Sequence, residues 1–184
     1  MHSEPPACRC VICHDYGDRD RADRIDRSTN VHIGEHGWSV IMVPADEEGP
    51  GFAYTVGLWH THRRPELAMF GLDVQAMRAM LNLLGARAAA GEPLVAGRAY
   101  GDVVEGRPVV LRDVDRGWYR EFLGMVIAHY RHPPVPVLQV LWPDADGAFP
   151  WQPESGEPYR AQQPQLWLPP AEHPAGVWTA LLER

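Results

Sequence analysis

The side chains best equipped for chemistry stand in two short runs. The first is Cys8-Arg-Cys10-Val-Ile-Cys13-His14, which carries all three cysteines of the chain. Thiolates and an imidazole at this density can fill a tetrahedral zinc site, with His14 or a distant histidine as the fourth ligand. Cys10-Val-Ile-Cys13-His14 also spells the haem c attachment pattern, which depends on export. A thiol beside Arg9 and His14 could instead be a low-pKa redox group, and an unmetallated terminal segment is the plain alternative. The second run is His60-Thr61-His62-Arg63-Arg64-Pro65-Glu66. On a strand, residues i and i+2 share a face, so His60 and His62 could meet one ion. Glu66 could then complete a facial set for zinc or another divalent metal. Without metal, His62 and Glu66 could work as acid and base beside Tyr54. A solvated loop at a sheet edge is the bland alternative for this run.

Two weaker groups follow. Tyr54, Thr55, Trp142, Asp144 and Trp151 combine flat apolar area with single polar atoms, as a ligand pocket requires. Asp144 could equally open an Asx-type turn closed by Gly147, with the aromatic residues in the core. His32 and His36 are spaced i, i+4, and His129 and His132 i, i+3, so each pair can share a helix face. His129 falls on the stripe of Trp118, Phe122 and Met125, where a core role is expected. A structural role at a helix end is expected for His36.

Those groups must be held by a chain of 184 residues, enough for one domain. Its hydrophobic share of 45 % supports one real core. A net charge of −7 disfavours nonspecific binding to nucleic acid or an anionic membrane. All seventeen basic residues are arginine, so mechanisms built on a lysine amine are excluded. Serine is scarce, and no G-x-S-x-G elbow, G-x-G-x-x-G turn or H-E-x-x-H pair is present. No apolar run is long enough to span a bilayer, and residues 1–7 lack the features of a signal peptide, so the cytoplasm is the expected compartment. Arginine without lysine, with abundant Ala, Gly and Pro, points to a bacterial genome of high GC content.

Hydrophobic periodicity and turn residues predict the elements. Within the charged residues 18–36, Ile25, Thr29, His32 and His36 at helical spacing read as a helix closed by Gly37, and 38–43 and 52–58 as paired antiparallel strands. A polar loop over 60–65 leads to a strand at 66–72. Asp73 then caps a helix with Val74, Met77, Leu81, Leu84 and Ala88 on one stripe, ended by Gly91. Strands are predicted at 94–100 and 107–113. A helix over 118–129 is ended by Pro133-Pro134, and a last strand covers 137–142. The division is a Cys-containing segment over 1–17, one α+β domain over 18–151 and a Pro-rich wrap over 152–184, docked through Trp167 and Trp178. The expected architecture is a mostly antiparallel sheet covered by about three helices, with a small, partly closed β-barrel as the alternative.

Several spaced motifs share one pattern. His36-Gly37-Trp38, Ala53-Tyr54-Thr55-Val56-Gly57-Leu58, Pro65-Glu66-Leu67, Phe70-Gly71-Leu72, Leu141-Trp142-Pro143-Asp144 and Phe149-Pro150-Trp151 resemble the bacterial domain-of-unknown-function family 4262. Cys10-x-x-Cys13 resembles actinobacterial members. The likeness covers roughly residues 10–151 and implies no particular activity. Cys8 and the long Pro-rich end depart from the pattern. The functional expectation is a small-molecule-binding protein or enzyme with a His/Glu/Tyr cleft at the loop end of the sheet. The alternative is a non-catalytic interaction or immunity-type module, with or without a structural zinc at the cysteines. Neither a substrate nor an oligomeric state follows from the sequence.

Overall fold

The computed structural model describes residues 7–131, 135–180 and 182. Its elements follow from local chemistry. Asp23 and Asp26 form a reciprocal capping box that opens α1 (Arg24–His36), and left-handed Gly37 closes it. The helix thus begins beside Ile25, where the helical spacing begins. Strands β1 (Ser39–Val43) and β2 (Phe52–Val56) pair antiparallel, as expected. A short helix, α2 (Leu58–His62), takes the place of the end of the predicted strand and the start of the predicted loop. Gly57 turns the chain between them at φ +114°, and a Cβ there would stand 2.8 Å from the Ile33 side chain. Strand β3 (Glu66–Phe70) and α3 (Val74–Ala89) follow, with the Asp73 carboxylate accepting from the Gln75 and Ala76 amides.

Strands β4 (Ala99–Val104) and β5 (Arg107–Asp113) form the next hairpin. The strand predicted at 94–100 is thus shifted. Residues 94–98 turn instead, because the Tyr100 hydroxyl donates back to Pro93 O and accepts from Val95 N. The helix predicted over 118–129 is two pieces, α4 (Tyr119–Phe122) and α5 (Gly124–Tyr130), broken at Leu123. The predicted stop at Pro133-Pro134 and His132 of the second histidine pair lie outside the described residues. Strand β6 (Val137–Leu141) completes the sheet, and two short helices, α6 (Glu157–Arg160) and α7 (Val177–Ala180), lie in the C-terminal wrap.

The six strands run in the order β1-β2-β3-β6-β5-β4. Every neighbouring pair is antiparallel except β3 and β6. The sheet is open, so the α+β expectation holds and the barrel does not. Side chains alternate across it with the two-residue period of a strand. Tyr54, Val56, Ala68 and Phe70 join α4, α5 and the wrap on one face. Ala53, Leu67, Met69, Leu138 and Val140 meet α3 on the other. Among the described residues, no helix is long and apolar enough to cross a membrane.

Candidate metal centre

The two runs of chemically equipped residues meet, but not in the grouping their spacing predicts. Cys8, Cys10, Cys13 and His60 place their ligand atoms within 4.8 Å of one another. The three sulfurs lie 3.8, 3.2 and 3.3 Å from His60 Nδ1, in that order. A tetrahedral zinc with Zn–S of about 2.3 Å and Zn–N of about 2.05 Å separates its sulfur and nitrogen ligands by about 3.6 Å. A neutral imidazole nitrogen has one lone pair, too few to serve three thiol donors. Convergence of three thiols on one nitrogen is an arrangement that could hold a metal ion. All three cysteines are unpaired by disulfides.

Local structure builds both halves of this group. The His14 amide donates to Cys10 O at 2.9 Å, closing a tight turn that brings Cys10 and Cys13 together. Val11 N donates to His129 O, which pins that turn to α5. Burial pushes the Cys10 thiol up to about 12, against the opposing pull of the Ile12 and Cys13 amides. Cys13 is raised too, first by burial, while the Arg63 guanidinium pulls it down. Burial and Arg63 both lower His60, which favours its neutral form, the one that can ligate. Zinc with three thiolates and an imidazole carries about −1 in all, and Arg63 stands near enough to offset it.

His60 is aimed by a buried network beneath α2. Glu66 is fully buried. Its Oε1 accepts from the Gly57 and Trp59 amides at 2.9 and 3.1 Å, and its Oε2 from the Thr55 hydroxyl at 2.6 Å. The Tyr130 hydroxyl donates to Glu66 Oε1 and accepts from the Gly57 and His60 amides. Burial pushes the Glu66 carboxyl up, and these donors pull it back. Glu66 is thus the N-terminal cap of α2 and a positioning residue for His60, rather than a member of the ligand group.

The helical geometry of α2 also separates His62 from His60. Residues i and i+2 lie about 200° apart around a helix, whereas on a strand they share a face. His60 turns towards the thiols and His129, with ring centroids 6.4 Å from the latter. His62 packs edge-on against Trp38, which belongs to the α3 side of the sheet. The facial set of His60, His62 and Glu66 is therefore not assembled. Nor does His14 enter the cysteine group; it is exposed and stacks edge-on with Tyr16. Tyr54 lies in the α5-side core, where its hydroxyl accepts from Met125 N, so Tyr54 and His62 do not line a common cleft.

The other expected residues have structural partners. Thr55 accepts from Leu67 N while donating to Glu66. Trp142 Nε1 donates to Phe70 O, and the Asp144 carboxylate accepts from the Asp146 and Ala148 amides of its own turn. Trp151 stacks on Phe149 and covers Arg112, which is clasped on its other side by Trp167. His32 and His36 sit near one another on α1 with ring centroids 5.2 Å apart. His129 is buried, which pulls it down to about 4, with His60 adding to the effect. Tyr130 and Arg63 escape the sequence reading. Tyr130 is 64 residues from Glu66, and no local spacing marks it.

Comparison with known proteins agrees with the motif pattern. Residues 32–156 match the domain of unknown function DUF4262, and the chain belongs to that family. No curated protein and no solved structure matches it. His60, Glu66 and Tyr130 fall within the matched residues, whereas the three cysteines precede them.

Proposed function

We propose that this chain is a zinc-stabilised, non-catalytic module in which Cys8, Cys10, Cys13 and His60 hold one zinc ion. The observation that carries this reading is the convergence of three thiols on a single imidazole nitrogen at 3.2–3.8 Å. Three sulfurs and one nitrogen select a soft, tetrahedral ion, and zinc is the common choice. Four protein ligands close the coordination sphere, which favours a structural role over Lewis-acid chemistry. The ion would clip residues 7–22 to α2, and through the Val11–His129 bond to α5. Besides that bond and the Asp18–Arg131 ion pair the segment has little to hold it, since Cys10 is its only fully buried hydrophobic residue. Metal binding would then be folding free energy for this end of the molecule.

Purified without a histidine tag, the full-length protein is expected to carry one zinc per chain by elemental analysis. Cys13→Ala and His60→Ala should each lose it, and His14→Ala should keep it. An untagged protein that carries no metal and takes up none on titration overturns the proposal. Zinc lost with His14 rather than with His60 overturns the ligand assignment.

A further inference from the structure

The segment held by the cysteines forms one wall of a cavity of about 550 Å³, whose other walls are α1 and α5. We propose that this cavity binds a small organic anion with an apolar tail, such as a medium-chain carboxylate. Its volume lies within the range of small-molecule sites. Val11, Ile12, Met125 and Ala128 supply apolar lining.

The charge around the cavity runs opposite to that of the molecule. The chain carries −7, yet the lining holds Arg19, Arg21, Arg27 and Arg131 against Asp18 and Asp26 alone. Both carboxylates are already engaged. Asp18 pairs with Arg131 at 2.6 Å, and Asp26 accepts from the Asp23 amide in the capping box. Arg27 reaches only the Ala22 carbonyl, and Arg21 has no side-chain partner among the described residues. Two guanidiniums without a carboxylate, beside apolar walls, fit a ligand with an anionic head and a hydrocarbon body.

The floor adds an independent sign. His129 lines the cavity and is 3 % exposed. Its Nε2 is buried with no hydrogen-bond partner among the described residues. An unpaired polar atom just beneath a cavity wall is a group to which a bound molecule can restore a hydrogen bond once the ring turns towards it.

The inference goes beyond the zinc reading, because none of Cys8, Cys10, Cys13 and His60 lines the cavity. The test uses the full-length protein with its zinc content measured in parallel. Decanoate, decanol and decyltrimethylammonium are titrated below their micelle concentrations by calorimetry. Decanoate is expected to bind with one site per chain, at least tenfold more tightly than the alcohol, and the cation not at all. Ala128→Trp should abolish decanoate binding by filling the groove, and Arg21→Glu with Arg27→Glu should weaken it at least tenfold. Unchanged circular dichroism and zinc content in these variants would show that the fold and the metal centre persist. No decanoate binding to the folded protein, equal binding of all three amphiphiles, or full affinity in folded Ala128→Trp overturns the proposal. Zinc-free protein that still binds decanoate would leave it standing while removing the zinc reading.

Discussion

The two ends of this chain are both short of regular structure, and they are anchored in opposite ways. Residues 7–22 bury one hydrophobic side chain fully and meet the body through three thiols, one imidazole, the Val11–His129 backbone bond and the Asp18–Arg131 ion pair. The C-terminal wrap docks by packing. Leu166 and Trp178 are buried among Phe70 and Phe122, and the Gln139 side chain reads the wrap through Pro164 O and Leu166 N. Arg112 is held between Trp151 and Trp167, with its carbon 4.3 and 4.6 Å from the two ring centres. An end fixed by ligand atoms should respond to chelators, and an end fixed by apolar area should not.

The largest expected effect comes from removing the metal. At zinc a thousandfold above its dissociation constant, chelation should cost about 4 kcal/mol of stability. Trypsin should then cut after Arg9, Arg19 and Arg21, which are exposed, while the wrap stays protected. Cleavage of the wrap at the same rate would erase the contrast. Trp178→Ala is expected to cost about 3–4 kcal/mol in denaturant unfolding, with zinc content unchanged. Glu66→Gln places an amide donor among four hydrogen-bond donors and should cost about 2 kcal/mol. It should also weaken zinc binding about tenfold, because α2 loses its anchor. A Glu66→Gln protein with native zinc affinity would show that His60 needs no such support.

The smallest effect concerns pH at the wrap. His173 Nε2 accepts from Gln165 N at 2.9 Å, so its Nδ1 carries the proton and donates to Pro174 O. Burial lowers its pKa below the ordinary value of 6.5. The folded state therefore binds this proton less readily than the unfolded chain. Its contribution to stability is complete above pH 6.5 and is lost as pH falls below that value. His173→Gln should flatten the fall in stability below about pH 6.5, measured against the parent protein. An identical pH slope in both would remove His173 from the account.

Much of the fold is legible in the sequence because its signals are local. Asp73 before an apolar stripe marks α3, Gly37 marks the end of α1, and short apolar runs mark β2 and β3. The candidate metal centre is legible only in halves. The cysteine run asks for His14 or a distant histidine, and His60 sits in a pattern that points to a different set. Only the five-residue α2 turns His60 and His62 apart, and that helix depends on Glu66 and Tyr130 rather than on its own sequence. Glu66 reads as an exposed ligand because nothing nearby announces its burial. The shift of β4 has the same origin, since Tyr100 bonds back across a turn that propensity reads as strand.

The single parallel joint between β3 and β6 sets an order of assembly. Each antiparallel hairpin closes over a short stretch of chain, but Glu66 must find Val137, some seventy residues on, before the sheet is whole. Glu66 sits at that seam, and its partner Tyr130 arrives on the incoming half. Zinc capture should therefore come late in refolding, after the seam has zipped, and a stopped-flow chelator assay that finds tight capture before sheet formation would reverse the sequence of events.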